Sequence, residues 1–177
     1  MKIKVLEKTP GCLPEIIKVG DWIDLRTAED VTLIGPHAKM LHKKKREGEL
    51  ERVRDVLFDS NVIPLGVCIK VPKGFECIVA PRSSTFKKWG LLQTNSIGVI
   101  DNSYCSDKDE WKLPVIATRP VTIPKGTRIA QFRVVISQKA TIWQKFKAVL
   151  GSPVAVVQVE SLGGEPRGGF GSTDNNN

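Results

Sequence analysis

The rhythm of its apolar runs constrains this chain most. From Val56 onward, short stretches of Val, Ile and Leu recur at intervals of roughly 8–12 residues, punctuated by Gly and Pro. Val62 to Leu65, Gly66 to Val71 and Phe75 to Ala80 read as strands, with Pro72-Lys73-Gly74 as a turn. Val115 to Thr118 and Val121 to Ile123 lead through a second turn, Pro124-Lys125-Gly126, into Arg128 to Ile136. Upstream, residues 2–6, 15–19, 24–26 and 31–34 are strand-like, and Val154 to Val159 forms a last strand. The pattern predicts an all-β sandwich or barrel. One helix is expected within Thr141–Leu150, where Ile142, Phe146 and Val149 recur at helical spacing before Gly151; it reads as an appendage packed on the β body.

With 177 residues the chain suffices for one well-buried domain and is short for two. Its 41% hydrophobic and 26% charged residues describe a soluble globular protein. No apolar run approaches the ~20 residues of a membrane span. The start, Met1-Lys-Ile-Lys-Val, reads as a strand rather than a signal peptide, so a cytoplasmic protein with no membrane partner is expected. The four cysteines lack metal-ligand spacing; Cys68 and Cys77 lie in apolar runs and read as reduced core thiols. The net charge of +8 admits a polyanionic partner, a nucleic acid or a nucleoside triphosphate. Half of that excess lies in residues 37–54, which hold seven Lys or Arg against three Glu. Single-strand binding needs interleaved aromatics, and none occurs there before Phe58. This segment therefore reads as a solvated insertion, a loop or short helix, and no nucleic-acid partner is expected.

The chemistry centres on residues 95–111. Strand formers Ile97 to Ile100, interrupted by Gly98, meet the turn Asp101-Asn102-Ser103 and then Tyr104, which reads as a β-hairpin. Asp101 either serves as an acid or base held on rigid backbone, or caps its own turn while Tyr104 packs on a sheet. Arg82-Ser83-Ser84 offers a guanidinium and two hydroxyls just after a strand, suited to phosphate oxygens or to an ordinary surface turn. Arg167-Gly-Gly-Phe-Gly-Ser-Thr adds a second Arg, permissive backbone and a ring, Phe170, able to stack on a base. Gln131 could be an edge-strand amide, and Asp24 a strand-end carboxylate.

Taken together and in order, these pieces resemble the five motifs of the homotrimeric dUTP diphosphatases (dUTPases). Asp24-Leu25-Arg26 is similar to the first motif, Pro81-Arg-Ser-Ser to the second, and Asn95 to Tyr104 to the third. Gly126 to Gln131 is similar to the fourth, and Arg167 to Thr173 to the fifth. The resemblance spans residues 15–175 and leaves 37–54 and 138–153 as insertions. Ser84 and Ser106 stand where the family commonly has Gly, which predicts a changed backbone there, since Ser resists φ > 0.

The resemblance implies a jelly-roll-like β domain over 1–161 and a flexible arm over 162–177, in a homotrimer whose sites are shared between subunits and closed by a neighbour's arm. It implies Mg²⁺-dependent hydrolysis of dUTP to dUMP and pyrophosphate. Asp101 would deprotonate the attacking water, and Tyr104 would lie against the deoxyribose. Asn95, with the backbone at Gly98 and Ile100, would read uracil. Arg82, Ser83 and Ser84 would hold the inner phosphates. Phe170, Gly171, Ser172 and Thr173 would close the site with Arg167. Asp24 and Gln131 would reach the metal through water. A dCTP deaminase of the same superfamily, which needs a catalytic Glu near the base, is one alternative; an added regulatory protein-binding role is the other.

Overall fold

The computed structural model describes residues 1–17, 20–44, 50–151 and 153–169; the side chains at 41–44, 50, 51 and 53 fall outside that description. Fifteen strands and two short helices occur among these residues. In chain order the first strands are β1 (Lys2–Glu7), β2 (Glu15–Ile16), β3 (Ile23–Arg26), β4 (Val31–Leu33), β5 (His37–Lys44), β6 (Leu50–Leu57), β7 (Ser60–Pro64), β8 (Val67–Lys70) and β9 (Phe75–Pro81). Helix α1 (Thr85–Trp89), β10 (Leu91–Gln93), β11 (Gly98–Ile100), β12 (Lys112–Ala117), β13 (Val121–Ile123) and β14 (Arg128–Ile136) follow. Helix α2 (Ile142–Val149) and β15 (Ala155–Gln158) complete the described elements.

The expected all-β body is present. Its largest sheet runs β11-β9-β14-β3-β2, flanked by β15-β1-β8, β10-β12-β7 and the pair β13-β4. All four sheets turn apolar side chains into one core, from Ile3 and Val5 through Leu25, Ile63 and Val79 to Leu113, Ile123 and Phe132. At its centre Trp111 meets Phe132 edge-on, with ring centroids 5.1 Å apart, the geometry the ring quadrupoles favour. Cys68 and Cys77 are buried as expected, and burial pushes their thiols to about 11 and about 12.

Four expectations need correcting. The described residues of 37–54 are strand rather than loop or helix: β5 and β6 pair antiparallel from His37↔Leu57 to Lys44↔Leu50, and residues 45–49 lie outside the described residues. β6 carries Leu50, Val53, Val56 and Leu57, and Lys and Arg are tolerated on a strand that faces water. Second, β11 has no return strand; it pairs with β9 (Gly98↔Val79, Ile100↔Cys77), and 101–111 is irregular. The Asp101 carboxylate captures the Ser103 amide at 2.8 Å, and the acidic run after Ser106 contains no strand former. Third, α1 directly after the second-motif residues was not foreseen; of the expected 15–19 strand, β2 covers Glu15–Ile16, and residues 18–19 lie outside the described residues. Fourth, α2 forms where expected, with a Thr141–Gln144 capping box, but it buries no residue. Ile142 and Val149 are 74% and 80% exposed, so the apolar face does not pack on its own body.

Ser84 and Ser106 adopt no left-handed backbone. Ser84 sits at φ −89° before α1, and Ser96 is the only non-Gly residue with positive φ among the described ones.

Candidate active site

β9 organises the chemistry, because different groups gather at its two ends. Along one flank runs β11, which ends the five-stranded sheet and so leaves its outer N–H and C=O groups unpaired. Gly98 faces Val79 across the ladder, and a Cβ there would lie 3.2 Å from the Val79 side chain. That close approach, not backbone strain, requires the glycine. Beyond the β11 edge opens a cleft of about 300 Å³ lined by Asn95, Gly98, Ile100, Asp101, Tyr104 and Arg167.

Asp101 stands at its mouth, 47% exposed. One carboxylate oxygen accepts from the Ser103 amide and hydroxyl, and the other pairs with the Arg167 guanidinium at 2.5 Å. Partial burial raises its pKa, but the Ser103 and Arg167 hydrogen bonds outweigh that and hold the carboxyl below its ordinary value. Tyr104 is half-buried, and its hydroxyl donates to the Glu110 carbonyl at 3.0 Å, which fixes the ring plane. Burial keeps that phenol protonated by pushing its pKa up. Asn95 is held by Gln93, whose amide donates to Asn95 Oδ1 at 2.8 Å.

A second cluster occupies the other end of β9. The sheet register puts Gln131 opposite both Asp24 and Ala80. Asp24 is buried, with Arg82 Nε at 2.9 Å from one oxygen and Arg128 Nη1 at 3.3 Å from the other. Gln131 donates to the Pro81 carbonyl at 3.3 Å. Ser83 and Ser84 form the turn that carries Arg82 into α1. None of these residues lines the Asp101 cleft. Asp101 lies next to the Cys77 level of β9 and Arg82 follows its last residue, so the ladder sets them about 20 Å apart.

A dUTPase family model matches residues 51–150 of this chain. The SPbeta prophage-derived deoxyuridine 5'-triphosphate nucleotidohydrolase of Bacillus subtilis is 40% identical over 173 residues, covering 98% of this chain and 96% of that protein. The chain belongs to the dUTPase family. The Finegoldia magna deoxyuridine 5'-triphosphate nucleotidohydrolase is 31% identical over 98% of this chain and 99% of its own length. The fold matches solved dUTPases. That of Streptococcus mutans gives a TM-score of 0.59 at 18% identity, over 80% of this chain and 99% of the other. That of Staphylococcus bacteriophage 80alpha with dUPNHPP gives 0.56 at 18% identity, over 96% of each.

Of the family's motif residues, the structure gathers Asn95, Gly98, Ile100, Asp101, Tyr104 and Arg167 in one cleft, and Asp24, Arg82 and Gln131 in another place. Phe170, Gly171, Ser172 and Thr173 lie outside the described residues. Residue-level reading missed Gln93, which orders Asn95, and Arg128, the second cation on Asp24. Arg128 lay inside the fourth motif, and Gln93 stands two residues before Asn95, the same-face spacing of a strand. Asp107 and Asp109 were missed as well; nothing in their run of charges separates them from solvent-facing carboxylates.

Proposed function

We propose that this protein is a dUTP diphosphatase that hydrolyses dUTP to dUMP and pyrophosphate, with Asp101 as the general base. The observation that carries the reading is a single cleft in which an accessible, ionised Asp101 and a clamped Tyr104 face the unpaired edge of β11. An edge strand offers backbone donors and acceptors in the fixed alternation that a pyrimidine edge can match. The narrow space beside Gly98, with Asn95 held by Gln93, shapes the wall that meets the base. The Tyr104 ring then lies flat against the sugar, where a 2′-hydroxyl would collide.

Asp101 removes a proton from water as the water oxygen bonds to the α-phosphorus; the bond to the bridging oxygen breaks and pyrophosphate leaves with that electron pair. A carboxylate held below its usual pKa is ionised at neutral pH, as a base must be. Arg167 pairs with Asp101. Phosphate oxygens compete for that guanidinium, and its departure frees the carboxylate for the water.

Arg82, Ser83 and Ser84 hold the α- and β-phosphates. At about 20 Å along β9 they do not reach the α-phosphate handled by Asp101 of the same chain. The site therefore completes itself between copies, the Arg82 end of one protomer against the Asp101 cleft of the next, in a homotrimer. Phe170, Gly171, Ser172 and Thr173 extend the arm from Arg167 over the bound nucleotide.

The described residues contain no cluster of His, Cys, Asp and Glu able to hold a metal by itself. The Asp24 oxygen that ion-pairs with Arg128 at 3.3 Å accepts no hydrogen bond among the described residues, and Gln131 is the cross-strand neighbour of Asp24. Those two groups would hold, through water, a Mg²⁺ ion brought by the triphosphate, and such an ion would supply charge neutralisation for the phosphates. Glu110 lines the Asp101 cleft, and its Oε1 accepts from the Gly66 amide at 3.0 Å, which holds it in the wall. A nucleotide panel with Mg²⁺, read by product, tests the reading. Pyrophosphate and dUMP from dUTP alone are expected; ammonia from dCTP, or equal turnover of dTTP, would overturn it.

A further inference from the structure

The Gly98 end of the cleft carries two side-chain amides whose orientation is set from the backbone. β11 runs from Gly98, opposite Val79, to Ile100, opposite Cys77, and Asp101 follows it. Asp101 therefore stands about 10 Å along the strand from Gly98. Gln93 belongs to the Gly98 end, where its Nε2 would lie 3.8 Å from a Cβ on that glycine. The same nitrogen donates to Asn95 Oδ1 at 2.8 Å and to the Val79 carbonyl at 3.5 Å. Both amides line the cleft. Gln93 Oε1 is buried and accepts no hydrogen bond among the described residues. The amide still has one favoured orientation. Turned over, it would set its oxygen against the Val79 carbonyl, which can only accept, and bury an unpaired N–H₂ where the orphan oxygen now sits.

That orientation passes on to Asn95. Its main chain is held on both sides: the Thr94 amide donates to the Pro114 carbonyl at 3.1 Å, and the Ile97 amide to the Asn95 carbonyl at 2.5 Å. Ser96, between them, sits at φ 58°. What remains to be set is the side chain, and Gln93 sets it. With Oδ1 receiving the Gln93 N–H, Nδ2 is the group left for a ligand, since nothing among the described residues accepts from it.

We propose that Gln93 is a positioning residue that makes Asn95 a hydrogen-bond donor, and that this polarity, relayed from the Val79 carbonyl, selects uracil over cytosine. The inference rests on the dUTP reading above and adds how the 4-substituent of the pyrimidine is read. Asp101 marks the sugar and α-phosphate end of the cleft, so the ring atoms that reach the Gly98 end are those opposite the glycosidic nitrogen. There uracil carries the carbonyl O4, which accepts from Asn95 Nδ2. Cytosine carries an amino group at the same position, and two donors would face each other. A site built around a fixed donor rejects such a base strongly, because neither N–H finds an acceptor. The unpaired Gln93 Oε1 is the cost of holding that polarity.

Three nucleotides bound to the full chain with Mg²⁺ and followed by calorimetry test the relay. They are the α,β-imido triphosphates of deoxyuridine, of deoxycytidine and of the pyrimidin-2-one deoxynucleoside, which has only hydrogen at position 4. Cytosine and pyrimidin-2-one share an unprotonated N3 and differ at position 4 alone. Wild type should bind the uracil compound about 100-fold or more tighter than the cytosine one, and pyrimidin-2-one about threefold or more tighter than cytosine. Cytosine bound as tightly as pyrimidin-2-one would overturn the proposal, because a donor facing position 4 must disfavour the amino group.

Gln93→Leu keeps the bulk, removes the donor and frees Asn95 to turn Oδ1 toward cytosine. The uracil-over-cytosine ratio should fall about tenfold or more, and pyrimidin-2-one should lose its lead. A variant that melts like wild type and keeps the full ratio would overturn the relay. Gln93→Glu presents only acceptors to Asn95 and should carry the ratio further toward cytosine; a ratio at or above that of wild type would equally overturn it. The wild-type series decides even if neither variant folds. Failure of the hydrolase reading shows separately, as a wild type that binds the uracil compound and releases no pyrophosphate from dUTP.

Discussion

Two aspartates, one at each end of β9, are held in opposite ways. Asp24 is 2% exposed and gripped by Arg82 and Arg128, which face its two oxygens. Asp101 is 47% exposed and restrained by a turn hydroxyl and by one arginine at the root of the arm. The first is surrounded by cations anchored in the β body, so its charge is spent on holding those guanidinium groups in place. The second has a partner that can leave. Accessibility, more than residue type, separates the carboxylate proposed to do chemistry from the one proposed to arrange it.

The sharpest way to break that contrast is to neutralise each acid. Asp101→Asn should lower kcat by about 10²–10⁴-fold, the usual worth of a general base, while dUTP binding and thermal melting stay near wild type. Near-normal turnover would remove Asp101 from the role. Asp24→Ala should act on the fold as well as on the rate. It leaves Arg82 and Arg128 without their shared partner, and since both are partly exposed the loss should be about 2–3 kcal/mol in chemical denaturation. An Asp24→Ala chain as stable as wild type would make the two ends of β9 more alike than their burial indicates.

Proton titration sharpens the comparison further. Because the Asp101 carboxyl lies below its ordinary value, kcat/KM should stay level from neutral pH down to about pH 5 and fall only below about pH 4. Its folded pKa is depressed, so its contribution to stability is full above the unfolded pKa and fades as pH drops through the folded one. Ser103→Ala removes one of the donors that lower it, and the acid limb of kcat/KM should then move up toward the ordinary carboxylate range. A limb that does not move would mean that the hydroxyl has no hold on the carboxylate. The smallest effect belongs to Gly98→Ala. Its Cβ presses on Val79, and overpacking of this size costs about 1 kcal/mol while raising KM for dUTP a few-fold.

Much of this was legible in the residues. The spacing of β-branched runs predicted the strand-dominated body, and β13 and β14 fall on the expected residues. The helix at 142–149 was foreseen from its apolar spacing. The same signal misjudged what that helix touches, since periodicity reports a face and not what covers it. The pairing of β5 with β6 was missed because charged residues outnumber β-branched ones in both strands. The supposed 97–104 hairpin failed for a related reason. Strand formers signal that a strand exists, whereas its partner is chosen by the long-range ladder, here β9.

The order of the motif residues along the chain, by itself, pointed to the family. Local chemistry sufficed there, because glycines, arginines and turn carboxylates declare their uses through type and spacing. The tertiary structure alone decided that Asp24 is buried while Asp101 is exposed, that Arg82 stands a strand's length from the cleft, and that Asp107 and Asp109 accept from the Leu162 and Arg167 amides. Each of those facts depends on which distant segments share a ladder or a hydrogen bond. Such pairings are selected by burying the whole core at once, and no single stretch of sequence carries them.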